Sequence, residues 1–176
     1  MTPDSDLRYP IGRFSFHDPP NEDRATYLVQ LSEAPANLRA ALAGLTEAHL
    51  DTPYRPEGWA VRQVAHHLAD AHMNWYIRTK LAVTEDNPVT KTYNEQAWSD
   101  LAEARISPVG LSLALFEAMT ARWSLFFASL APEQWKRRFQ NAEWGSLTVE
   151  DVLRAMAWHT RHHTAHITEL RRRNGW

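Results

Sequence analysis

Trp158-His159-Thr160-Arg161-His162-His163-Thr164-Ala165-His166 places four histidines within eight residues, inside the last segment with helical periodicity. A second group, His66, His67 and His72, lies in another helical stretch, so two segments hold seven of the nine histidines. Histidines gathered on two amphipathic helices point to a metal centre built between helices of a bundle.

The rest of the chain supplies the bundle. A first helical pattern starts after Asn21, a capping residue, and runs through Tyr27, Leu28, Leu31, Leu38, Leu42 and Leu45 to about residue 46. Pro35 interrupts it, which predicts a kink or two stacked pieces. Pro53, Pro56 and Gly58 make residues 47–58 a loop. The second helix spans about Trp59 to Val83. Residues 84–107 read as a long connection with one short helix near Glu95 to Leu101. A third helix is capped by Ser107, with Pro108 at its first position, and runs to Leu130. Residues 131–147 read as irregular. The fourth helix opens on Thr148 with Asp151 three residues on and stops at Asn174-Gly175. The expected fold is an all-α four-helix bundle in a single domain, residues 1–176. Residues 1–20 form an extended arm that packs through Tyr9, Ile11, Phe14 and Phe16.

Composition excludes several alternatives. Cysteine is absent, which removes disulfides, thiolate zinc sites and a cysteine nucleophile. A net charge of -2 offers no field for nucleic acid. The basic runs Lys136-Arg137-Arg138 and Arg171-Arg172-Arg173 lie near helix ends, where the macrodipole accounts for them. No apolar run is long enough to cross a membrane. Met1 to Pro10 is polar and acidic without a signal-peptide core, so the expected location is the cytoplasm.

Helical geometry ranks the histidines. At about 100° per residue, with His159 at zero, the apolar positions Val149, Val152, Met156, Ile167 and Leu170 centre near about 50°. His163 falls at about 40°, close to that direction, and His159 on its edge. His166 and His162 lie further round, at about -20° and -60°, and read as rim or surface residues. On helix two the same construction ranks His67 and His72 together, with His66 pointing away. His159 and His163, one turn apart, can reach one ion. Asp70, three residues after His67, is the candidate carboxylate for catalysis, although its direction is away from the core. Glu150 and Asp151 read as helix-start charges. Arg78 and Lys80 are candidates for holding a carboxylate of a thiol cofactor or substrate. Tyr93, Trp98 and Trp144 are candidates for lining a pocket.

At these residues the chain resembles the DinB superfamily and its YfiT-like branch of metal-dependent hydrolases. The matching pieces are Tyr9-Pro10-Ile11-Gly12, Leu50-Asp51-Thr52-Pro53-Tyr54-Arg55, the run Gly58 to Asp70, His72-Met73-Asn74, Tyr76-Ile77-Arg78, Trp158-His159 and Ala165 to Leu170. The resemblance implies a four-helix bundle, often dimeric. It also implies one divalent metal held by one histidine of helix two and two of helix four, here His67, His159 and His163. One departure is Ala60, where related chains usually carry Ser or Thr as the helix cap.

Three neutral imidazoles leave an open position for water or substrate, and zinc or nickel are the expected ions. The functional expectation is therefore a metal-dependent hydrolase, or a transferase of a low-molecular-weight thiol of the bacillithiol type. It would act on a small electrophilic substrate, as a homodimer, without nucleic acid or membrane partners. The alternative is a non-catalytic metal-binding stress-response module.

Overall fold

A computed structural model describes residues 6–176; the first five residues of the expected arm lie outside it. Four long helices carry the fold: α1 (Arg24–Leu42), α3 (Val61–Thr84), α6 (Val109–Ala128) and α7 (Val149–Asn174). Short helices α2 (Glu47–Leu50), α4 (Glu95–Ser99) and α5 (Ala102–Ile106) lie in the connections. Strands β1 (Val89–Thr90), β2 (Arg138–Asn141) and β3 (Gly145–Thr148) form a small sheet.

The four-helix bundle expected from periodicity is present. Helix α1 packs on α6 and α7, and so does α3. The helices thus form a ring in which α1 and α3 lie across one diagonal and α6 and α7 across the other. Chain neighbours are not all spatial neighbours, and this brings α3 against α7, the two histidine-bearing helices.

The helix ends follow their local chemistry. Asp23 caps α1 by accepting the Thr26 N–H at 2.7 Å, and α1 continues unbroken through Pro35. The Thr148 hydroxyl accepts the Asp151 N–H at 3.0 Å while the Asp151 carboxylate accepts the Thr148 N–H at 2.9 Å. Gly175 ends α7 with φ 70°, a left-handed turn that glycine adopts without a Cβ penalty. Ala60 has no capping side chain, and Gln63 substitutes in part, its Oε1 accepting the Ala60 N–H at 2.8 Å. Thr148→Ala removes half of a reciprocal cap and is expected to cost about 1 kcal/mol. Urea unfolding checks this, and an unchanged midpoint would contradict it.

Four expectations change. Residues 47–50 are helical, and the 84–107 connection holds two short helices and a strand. Helix α6 starts at Val109 with Pro108 at the cap, one residue later than expected. Residues 131–147, read as irregular, contain a hairpin with Phe139 opposite Leu147, both buried. β1 joins it in parallel, Val89 beside Gln140. The Asn141 side chain accepts the N–H groups of Glu143 and Trp144 at 2.9 and 3.2 Å, which fixes the turn.

Two apolar clusters fill the interior. One centres on Leu31, Trp75, Trp123, Phe127, Phe139 and Met156. The other centres on Leu38, Val61, Val64, Leu68, Phe116 and Ile167. On α7 the histidine stretch occupies the interval between Met156 of the first and Ile167 of the second. The basic runs anchor chain ends: Arg171 donates to the Ala41 and Ala43 carbonyls at 2.8 Å each, and Arg137 to that of Ala82 at 3.1 Å.

Candidate metal centre

Packing α3 on α7 brings His67 to His159 and His163. Their ring centroids are 5.1 Å (His67–His159), 4.6 Å (His67–His163) and 4.5 Å (His159–His163) apart. One ring nitrogen from each lies within 4.8 Å of the others. The Nε2 atoms of His67 and His159 are 3.1 Å apart. Two imidazoles on one tetrahedral zinc, at about 2.0–2.1 Å each, have nitrogens about 3.4 Å apart, so little adjustment separates this pair from a ligating one.

The site's electrostatics suit a cation. His67 and His163 are buried and His159 is half-buried. Burial pushes the His67 ring down to about 3, and pushes His159 and His163 well below the ordinary imidazole range. All three are therefore neutral at pH 7, the form that ligates a metal. The Nδ1 atoms of His159 and His163 are buried and make no hydrogen bond. Buried polar atoms normally find partners. Three neutral imidazoles, each with a ring nitrogen in reach of the others, could hold one metal ion.

Sequence reasoning missed the roof of this triad. Trp59, from the loop before α3, lies 4.7 Å from the His67 ring and stacks over His163 at 6.2 Å. Its Nε1 donates to Gln96 Oε1 at 3.0 Å, which ties the roof to α4. The available signal was an aromatic residue beside a glycine just before a histidine-bearing helix.

His162 and His166, expected at the rim, are buried. Trp158 stacks on His162 at 4.3 Å and Tyr54 on His166 at 4.0 Å. His166 Nε2 donates to the Arg8 carbonyl at 3.1 Å. The arm and the first loop cover this face of α7. Arg55, Glu57 and Gln96 join His162, His163 and His166 around a cavity of about 260 Å³.

His66 is also buried, against the expectation that it points to solvent. Its Nε2 donates to the Ser107 carbonyl at 3.2 Å, so its Nδ1 accepts from the Ser112 hydroxyl at 2.7 Å. This latches α3 to the start of α6. His72 sits in the core with its ring edge-on to Phe116 at 4.6 Å. Asp70 is half-buried in a narrow chamber shared with His67, Tyr93, Glu95 and Ser99. Burial pushes its carboxyl up to about 6. Tyr93 and Trp98 line this chamber, whereas Trp144 lines a separate cavity of about 420 Å³ with Phe14, Phe16 and Trp158. Asp151 and Glu150 are helix-start groups, and Glu150 pairs with Arg24 at 2.9 Å.

Arg78 and Lys80 do not join the centre. Arg78 is buried, donates to the Lys91 carbonyl at 2.9 and 3.2 Å, and lies over Trp75 at 5.0 Å. Lys80 is exposed over Tyr76 and Phe126, at 5.5 and 5.4 Å. They follow His67 by eleven and thirteen residues on one helix, about 16 and 20 Å along its axis. Neither lines the cavity of His162, His163 and His166. Among the described residues no helix is long and apolar enough to cross a membrane.

Comparison with known proteins agrees with this fold. A relative from Bacillus cereus (strain 03BB102), provisionally named a metal-dependent hydrolase, is 44% identical over 98% of this chain and 99% of its own. Relatives from Bacillus thuringiensis subsp. konkukian and Bacillus anthracis, with the same provisional activity in their names, are 44% and 43% identical over the same extent. The solved structure of YfiT from Bacillus subtilis is described with that activity and an unusual four-helix bundle topology. It superposes with a TM-score of 0.91 at 44% identity, over 97% of this chain and 98% of that one. The DinB superfamily model matches residues 30–167, and the chain belongs to the DinB superfamily.

Proposed function

We propose that this protein is a metal-dependent enzyme that joins a low-molecular-weight thiol to a small electrophilic substrate, with His67, His159 and His163 holding one zinc or nickel ion. When bound, such an ion keeps its charge at its open position and lowers the pKa of a thiol or water there. The chain's own groups do the rest. Trp59 holds the rings of His67 and His163 and limits water over them. Arg55 gives the cavity a cation for an anionic group of the thiol or substrate.

The observation that carries this reading is the placement of the carboxylates. Asp70, the sequence candidate for a base, lies in a narrow chamber beside His67 and not on the wall of the cavity lined by His162, His163 and His166. A thiol ionised by the metal needs no such base, whereas attack by water gains from one. Hydrolysis is the second reading, favoured by the names of the relatives. In it Glu57, the one carboxylate on the cavity wall among the described residues, takes the proton. The cysteine-free composition suits the cytoplasm. The exposed Leu111, Leu115 and Leu125 on α6 suit a homodimer contact.

The test is turnover of a chromogenic electrophile by untagged, metal-loaded protein, with and without bacillithiol, glutathione or coenzyme A. Thiol-dependent turnover is expected. Turnover in buffer alone, lost in Glu57→Gln, would establish hydrolysis instead. Metal binding without either would make the protein a metal-binding module.

A further inference from the structure

We propose that His162, His163 and His166 form a second, outer site for one divalent cation of the zinc–nickel class, and that the inner triad is filled through it. One nitrogen from each of the three lies within 4.8 Å of the others, and all three residues are buried. Their ring centroids are 4.3 Å (His162–His166), 5.0 Å (His162–His163) and 5.2 Å (His163–His166) apart. His166 is four residues from His162 and three from His163, the spacings of neighbours on one helical face.

The hydrogen bonding leaves these rings ready to ligate. A carbonyl only accepts, so His166 must carry its proton on Nε2, which points to the Arg8 carbonyl. Its Nδ1 lone pair is then free, and it is buried without a partner. The Nδ1 atoms of His162 and His163 are likewise buried and unpartnered. Buried polar atoms of this kind are costly unless something completes them. A borderline cation satisfies several neutral imidazole nitrogens at once. His72 shows the contrast: its nitrogens are also unpartnered, but it lies alone against Phe116 and belongs to neither triad.

The order of the two sites follows from access. All three outer rings line the cavity of about 260 Å³, with Glu57 on the same wall. Of the inner triad, only His163 lines that cavity. An ion entering from the cavity therefore meets the outer rings first, and His163 is common to both triads. One lone pair cannot serve two ions, so transfer consists of exchanging His162 and His166 for His67 and His159 around His163. The loading role rests on the inner-triad reading; the outer site does not.

The test is nickel titration of the untagged His67→Ala/His159→Ala double variant, which keeps the outer rings. One Ni²⁺ per chain is expected, weakened by at least about tenfold when His162→Gln is added. No binding by the double variant overturns the outer site, whether or not the wild type binds. Unaltered binding after His162→Gln overturns it too. Conversely, if His162→Gln/His166→Gln abolishes binding while the double variant still binds, the inner triad falls and the outer site stands. Loading is read separately, by stopped-flow nickel uptake in His162→Gln/His166→Gln. Uptake about tenfold slower with unchanged final stoichiometry is expected, and wild-type uptake removes the loading role. Glutamine at 166 can still donate to the Arg8 carbonyl. His162→Gln alone, which leaves that contact intact, gives the same reading if the double change disturbs the arm.

Discussion

Replacing His163 with alanine is expected to strip the protein of its divalent ion and of all turnover. His163 belongs to both groups of convergent imidazoles, and its ring lies within 5.2 Å of His67, His159, His162 and His166. Groups that merely support a ligand cost about 10–100-fold in metal affinity when removed. Loss of a ligand itself should exceed that range. Elemental analysis of untagged protein should find less than a tenth of an ion per chain, by the same ~100-fold loss. His49→Ala, which removes a stack on Trp176 at 4.0 Å and a cap contact to the Thr46 N–H, should keep a full complement. A His163→Ala protein that retains its metal and its activity would sink the assignment.

Acid should unfold the metal-free protein far above the pH at which a bundle of this size ordinarily fails. His67, His72 and His163 are buried and neutral. Burial holds His67 and His72 at about 3, with His163 also well below the ordinary value. In the unfolded chain each titrates near about 6.5. Below that value the unfolded chain binds more protons than the folded one, so stability falls as pH falls. At pH 5 the loss is about 2 kcal/mol for each ring. The three together approach about 6 kcal/mol, against a usual total of about 5–15 kcal/mol. Asp70 works in the opposite sense, since its raised carboxyl favours the folded state as pH falls through about 6, but half-exposed it offsets little. Circular dichroism with a chelator should show cooperative unfolding between pH 6.5 and about 5. Added metal should move the transition lower by keeping its ligand rings neutral. A chelated protein with an unchanged melting temperature from pH 7 to 5 would contradict this account.

The long helices were legible because their apolar residues recur with the helical period over many turns, and because Thr148, Asp151 and Gly175 mark their ends chemically. The angular count picked His159 and His163 from four candidates for the same reason. It misplaced His162, His166 and His66 because it treats everything outside the four-helix core as solvent. Here Tyr9 and Tyr54 cover one of those faces and the start of α6 covers another. Which residues an arm or a connection lies upon is a long-range property that no local pattern records. The hairpin was hidden for a related reason. Its strands are four residues long, and β1 pairs with β2 some fifty residues away in sequence. Arg78 shows the limit for long side chains. Sequence offered it solvent or a ligand, and it turned back instead to hold a carbonyl of its own connection.

The ring of helices sets the order in which the protein comes into being. His67 and His159 meet across 92 positions of chain. The ribosome therefore makes α3, α6 and the hairpin before the second and third ligands exist. While the nascent chain lacks Trp158 to His166, its one ligating histidine from α3 is a poor competitor for cellular zinc or nickel. If those histidines hold the ion proposed above, its capture must follow the synthesis of α7, and a chain halted earlier also lacks the helix on which α1 and α3 pack.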